Sequence, residues 1–232
     1  MSTKKVGVKK IFTVIMKRQR CHVYSKGVVI DIQTNGNGLD ETNFWQPYAE
    51  HLMPLPCPNY PINITMCMFD NYKVFTQKTW IIKGATRFDP WVAENVVSAS
   101  VEECNEKGHD FFKVVQEMKQ MMHHTPHCIV CHNIVYHMDQ IFYKFFENHT
   151  NSEEFLFFTK CPTFCTMVNA YTKSSSMVHP LAYYHPRFRQ WFGPSMESLA
   201  KYLGVPFELL LAHSSTYRVS VTYKCYLKIV SN

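Results

Sequence analysis

The stretch Gly27-Val28-Val29-Ile30-Asp31-Ile32, followed by Gln33-Thr34-Asn35-Gly36-Asn37-Gly38, decides how the rest of the chain is read. Four of its first six residues are β-branched, and the run gives way to polar residues and glycines. That pattern predicts a buried strand followed by a turn. The acid near its end, Asp31, is then exposed at the rim of a sheet.

Two further strands are expected downstream, from Ile62 to Asp70 and from Lys73 to Lys83, with Asp70-Asn71 as the hairpin turn between them. From Phe111 onward the apolar positions Phe111, Val114, Val115, Met118, Met121 and Met122 recur at helical spacing. They predict an amphipathic helix whose methionine stripe belongs to the core. A short strand from Cys128 to Cys131 precedes His132-Asn133, and an apolar-rich helix is expected from about Ile134 to Glu147. Near the C-terminus, Ser195 is placed to cap a helix that Gly204 terminates, and a last helix is expected from about Ser215 to Lys228. Strands come first and then alternate with helices, the order of an α/β protein with a mixed central sheet and helices on both faces. With no internal repeat and no linker in the pattern, we read a basic N-terminal segment, residues 1–26, and one domain, residues 27–232.

The composition supports a packed domain, because 46% of the 232 residues are hydrophobic, 15% are aromatic and only 8 are glycine. The formal charge is +6, and Lys4, Lys5, Lys9, Lys10, Lys17, Arg18, Arg20 and Lys26 precede any acidic residue. Such a start favours an anionic partner. The apolar run from Ile11 to Met16 is too short to span a membrane, and no other window is continuously apolar, so an intracellular protein of the cytoplasm or nucleus without a membrane partner is expected. Nine cysteines, an odd number without framework spacing, fit free thiols in a reducing compartment.

Four patches in this order resemble the motifs of the DnaQ-like (DEDDh) 3'–5' exonucleases, whose fold is RNase H-like. Val29 to Gly36 is similar to the family's strand ending in Asp-x-Glu-Thr-Thr-Gly, and Val130-Cys131-His132-Asn133-Ile134-Val135-Tyr136-His137 to its His-Asn-x-x-Phe-Asp. Trp191 to Leu199 with Tyr202-Leu203-Gly204 resembles the Ser-Leu helix before the last motif, particularly in versions from large DNA viruses. Ala212-His213 and Arg218 stand where the family has a histidine and, five residues later, its last aspartate. The stretch from Phe88-Asp89-Pro90-Trp91 to Gly108 matches the link between third strand and first helix.

In that family four carboxylates hold two divalent cations, Mg or Mn, and a histidine is the general base. Carried over position by position, the resemblance gives Asp31, Gln33, His137 and Arg218 at the four acid positions and His213 at the base. The formal charges are then −1, 0, 0 and +1, which sum to 0 where four acids give −4. Hard dications need anionic oxygen ligands, so no resident cofactor is expected. Arg218 is instead expected to take the vacated cation position beside Asp31. Asp139, two residues beyond His137 on a helix, should face away from the site. A single Zn, Mn or Fe ion on Asp31, His137 and His213 is the sharper alternative, and Arg218 opposes it.

Two other clusters carry both a bland and a functional reading. His123, His124, His127, Cys128, Cys131, Cys161 and Cys165 have spacings compatible with zinc, but as strand residues most of the thiols read as small core side chains. Tyr183, Tyr184, Phe188, Trp191 and Phe192, interleaved with Arg187 and Arg189, could stack bases and grip phosphates of a single strand, or cap the core. Asn133, Arg187, Arg189 and Trp191 are the expected nucleic-acid contacts. The leading reading is an impaired or inactive exonuclease-like domain that binds a single strand or 3' end, or serves as an interaction module. The alternatives are an active nuclease with an atypical Asp/His site and a protein-interaction scaffold without nucleic acid.

Overall fold

A strand buried along its whole length must be covered on both faces, and β1 (Gly27–Thr34) is the central strand of a five-stranded sheet of order β3-β2-β1-β4-β5. The computed structural model describes residues 23–35, 60–85, 88, 99–124, 127–142, 146, 149–172, 183–185, 190–192 and 194–231. β1 runs antiparallel to β2 (Pro61–Asp70), which turns back into antiparallel β3 (Lys73–Ile81). On its other side β1 pairs in parallel with β4 (Cys128–Cys131), and β4 in parallel with β5 (Thr163–Cys165). Gly27 begins β1 because a Cβ there would lie 2.6 Å from Phe69 Cζ and 2.7 Å from the Cys128 carbonyl oxygen.

Successive side chains of a strand point to opposite faces, and this alternation creates two cores. Val28, Ile30 and Ile32 pack with Met66, Met68 and Trp80 against α2 (Phe111–Met121), a π-helix (Val135–Phe142) and α3 (Glu153–Lys160). Val29, Cys67 and Phe69 pack on the other face against α5 (Met196–Tyr202) and the long α6 (Ser215–Ser231). Asp31 and Gln33 share the parity of Val29 and so face α6. Between these elements lie α1 (Val101–Lys107), α4 (Thr166–Thr172), the hairpin β6 (Tyr183–His185) and β7 (Gln190–Phe192), and a 3-10 turn (Leu209–Leu211).

Local signals set the helix starts. Side-chain oxygens of Ser100, Asp110, Ser152 and Ser195 accept from the backbone N–H of Glu103, Lys113, Phe155 and Ser198 at 3.1, 3.1, 3.2 and 3.1 Å. Each satisfies a donor that the first turn leaves orphaned, worth about 1 kcal/mol. Gly204, at φ +67, follows α5 as expected of a residue that adopts the left-handed region without strain.

Three expected elements differ from the structure. β3 stops at Ile81 rather than Lys83, because Ile82 bridges to His109 and the Lys83 N–H donates to the His109 carbonyl at 2.9 Å. The segment expected to be a regular helix from Ile134 is π-helical over Val135–Phe142, and it is entered through Asn133 at φ 60. Its aromatic side packs Phe142 against Phe111 and Phe158 with ring centroids 5.7 and 4.9 Å apart. The last helix continues beyond Lys228 to Ser231 because Ile229 is buried in the second core. Among the described residues no helix is long and apolar enough to cross a membrane.

Candidate functional site

Asp31 lies near the end of β1 on the face that α6 covers, and it is only 2% exposed. A buried carboxylate needs a compensating partner. The Arg218 Nε donates to Asp31 Oδ1 at 3.1 Å, and His137 Nε2 lies 3.6 Å from the same oxygen. Asp31 Oδ2 is buried and has no hydrogen-bond partner among the described residues.

Arg218 reaches the acid because the start of α6 is pinned to the sheet. The Ser215 hydroxyl lies 2.7 Å from the Thr65 hydroxyl and donates to Asn63 Oδ1 at 3.0 Å; all three residues are buried. In the β1–β2 register Thr65 sits opposite Asp31 and Asn63 opposite Gln33. This polar layer thus fixes α6 directly beside the two β1 residues that matter. The first turn of α6 carries no acidic residue, and a cation at a helix N-terminus opposes the helix dipole. Asp31 supplies the negative charge that offsets both.

Two histidines line the same region without charging. Backbone N–H of Ile32 donates to His137 Nδ1 at 3.2 Å, which leaves the ring proton on Nε2, the nitrogen toward Asp31. Burial lowers the His137 pKa to about 4; Asp31 opposes the shift and Arg218 reinforces it. Burial, then Arg218 and His137, lower His132 to about 3, while its Nδ1 sits 3.0 Å from the Thr166 hydroxyl. At neutral pH both imidazoles are therefore neutral, and among the described residues Arg218 is the cation in contact with Asp31.

Gln33 Nε2 donates to the backbone carbonyl of His213 at 2.6 Å, so Gln33 ties the loop before α6 to the sheet rim. The His213 residue is exposed, and it meets the site through its main chain. Among the described residues no group of three or more His, Cys, Asp or Glu is placed to hold a metal. The set of Asp31, His137 and His213 considered for one metal ion is therefore not assembled. Nor does the neighbourhood fit a pair of dications: one carboxylate, already engaged by an arginine, faces neutral imidazoles and an amide.

The same holds for the zinc reading of the histidine and cysteine cluster. Cys128, Cys131, Cys161 and Cys165 are buried free thiols, and burial raises the pKa of each, Cys161 to about 12. They pack as core side chains, Cys131, Cys161 and Cys165 in one core and Cys128 in the other. Asn133 lies two residues beyond β4 in the left-handed region, and Trp191 lies on β7. Arg187 and Arg189 lie outside the described residues, as do residues 1–22; at Asp139 the helix is described but not the side chain.

Two residues that build the site carry a signal in the sequence itself. Asn63 and Thr65 are polar positions inside an otherwise apolar strand, which is the usual mark of a buried hydrogen-bonded layer. Ser215 and Thr166 had no such mark, since serine and threonine before a helix read equally well as caps.

A mixed sheet of this order, with the acid on its central strand and a terminal helix packed over it, is an RNase H-like exonuclease fold. Solved structures give the particular likeness. The chain superposes on Escherichia coli exonuclease I in complex with a dT13 oligonucleotide with a TM-score of 0.59 at 15% identity, covering 90% of this chain and 41% of that one. It superposes on the zinc-bound form of the E. coli exonuclease I–single-stranded DNA complex with a TM-score of 0.56, also at 15% identity and with 90% and 41% coverage. A product-bound exonuclease I structure gives 0.59 at 14% identity, with 90% and 44% coverage. The chain thus spans about two fifths of the length of these exonuclease I chains. No protein-family model and no curated protein sequence matches it.

Proposed function

We propose that this chain is a DEDDh-type exonuclease-like domain in which an internal ion pair, Asp31 with Arg218, stands in place of the dication centre. It is a catalytically impaired module that binds single-stranded nucleic acid. The observation that carries the reading is the Arg218 Nε at 3.1 Å from Asp31 Oδ1, a cation already seated on the one remaining carboxylate. Two neutral histidines and Gln33 complete the surroundings, so the charge that would draw Mg or Mn is missing. Single-strand binding is supported by the fold's likeness to exonuclease I structures that hold oligonucleotides and by the chain's net positive charge. Asn133, Trp191, Arg187 and Arg189 are the proposed contacts, His213 stands at the rim in the place of the general base, and the site of action is intracellular.

The test is the salt dependence of binding to a labelled single-stranded oligonucleotide. Arg187→Ala with Arg189→Ala should weaken binding and flatten the slope of log affinity against log salt by about 1–2, because each phosphate contact releases a condensed counterion. Unchanged affinity and slope would remove these two residues from the reading. A second reading, an interaction module that binds protein alone, is favoured by one feature: Leu209, Leu210 and Leu211 are 66%, 92% and 43% exposed next to His213. Absence of any oligonucleotide binding by the full chain would select it.

A further inference from the structure

We propose a second binding site, for a nucleoside phosphate unit, at the pole of the sheet opposite Asp31. A cavity of about 400 Å³ opens there, with Lys26, Asp70, Lys73, Phe75, His123 and His127 in its lining. Its volume is in the range of small-ligand sites, which run from about 300 to 1,000 Å³. Lys26 precedes β1 and Asp31 lies five residues further on, so the two sites are separated by about 16 Å of extended strand.

The chemistry of the lining selects the ligand. Asp70 is engaged by Lys26 at 3.6 Å, whereas Lys73 makes no ion pair with a described residue. Lys26 and Lys73 against one carboxylate leave the lining with one net positive charge, and Lys73 offers its ammonium to an anion. At the end of α2 the N–H groups of His123 and His124 donate to the Gln120 and Lys119 carbonyls at 2.8 and 3.1 Å, which satisfies these two acceptors within the turn.

Phe75 adds the second half of the recognition. It is 57% exposed on the edge strand β3, with Val74 beside it at 47%. A phenyl face left in water beside the Lys73 ammonium offers a platform on which any base can stack while the lysine meets its phosphate.

The unit could arrive as a free nucleotide or within a strand, and the experiment separates the two. Saturation-transfer NMR with AMP, adenosine and inorganic phosphate should show adenine-ring contact for AMP on the intact chain. Phe75→Ala and Lys73→Glu, both at exposed positions and both checked for unchanged Tm, should weaken AMP at least about fivefold, while Arg218→Ala should leave it unchanged. If the same two variants also weaken a 5'-phosphorylated oligonucleotide, the strand is the source; if only AMP responds, it is the free nucleotide. AMP that fails to bind, or binds both variants as well as the unaltered chain, overturns the proposal. The AMP arm requires nothing of the groove near Asp31, so its failure is distinct from failure of the exonuclease-like reading.

Discussion

Arg218 and Asp31 are 187 residues apart in sequence and 3.1 Å apart in space, and the Asp31 side chain is 3% exposed against 29% for the arginine side chain. The pair is asymmetric: water reaches part of the guanidinium and almost none of the acid. Removing the cation therefore strands a buried charge, while removing the acid frees an arginine that can turn to solvent.

This asymmetry sets the first expectation. Arg218→Met should destabilise the fold by about 1–3 kcal/mol, below the full cost of breaking a fully buried pair because the arginine is partly solvated. Asp31→Asn should cost less, and the double variant should recover part of the loss. Urea unfolding of the four proteins measures the coupling, and strict additivity would show that the two residues do not interact energetically.

The neutral histidines set the acid limb of stability. Both have folded pKa values, about 4 for His137 and about 3 for His132, below their usual 6.5. The unfolded chain therefore binds protons first, and stability is lost as pH falls below 6.5 until the folded values are reached. Each histidine contributes a slope of about 1.4 kcal/mol per pH unit in the middle of that window. Urea titrations from pH 7 to pH 4.5 should show this loss, and His137→Gln should make the limb shallower. A His137→Gln profile as steep as the original would place the proton uptake elsewhere.

Ser215 should matter more than its size suggests. Replacing it with alanine takes a partner from both Thr65 and Asn63 inside a buried layer, at a cost of about 1–3 kcal/mol. The start of α6 would also loosen, and hydrogen exchange of the Arg218 and Val219 amides should accelerate. Exchange that rises only at the far end of the helix would show that Ser215 does not anchor this turn.

Much of this fold was legible. The β-branched run through Ile30, the β2–β3 hairpin around Asp70-Asn71 and the Ser195 cap all depend on neighbours in sequence, and all are present. The π-helix was not legible, because over only two turns the apolar positions from Val135 to Phe142 fit a wider repeat as well as the usual one. The short helices α1, α3 and α4, of seven or eight residues each, are too brief to show a periodic signal, although Ser152-Glu153-Glu154 is a plain start signal for α3.

At the site the balance is reversed, since ligands of a buried acid come from distant parts of the chain. Nothing local to Thr65 or Ser215 says that they meet. That His213 would present its carbonyl to Gln33 rather than its ring to Asp31 depends on how the 3-10 turn over Leu209–Leu211 delivers the loop. The thiols were the simpler case: apolar neighbours on β4 and β5 already marked Cys128, Cys131 and Cys165 as core.

Restoring the missing charge should restore metal affinity. Gln33→Glu, His137→Asp and Arg218→Asp together bring the formal charge of the four positions to −4, counting Asp31. Mn²⁺ at about a hundredfold excess over its Kd should then stabilise the variant by about 2.7 kcal/mol, seen as a rise in Tm. The unaltered chain should show no rise, and an equal rise in both would mean that the metal binds elsewhere.

The most direct measurement is degradation of a 3'-labelled single-stranded oligonucleotide by the full chain with Mg²⁺ or Mn²⁺, beside an Asp31→Ala variant purified in the same way. The account predicts that any cleavage is equal in the two preparations, as trace contamination would be, because Arg218 already occupies the acid. Metal-dependent cleavage by the unaltered chain that disappears in Asp31→Ala would contradict it.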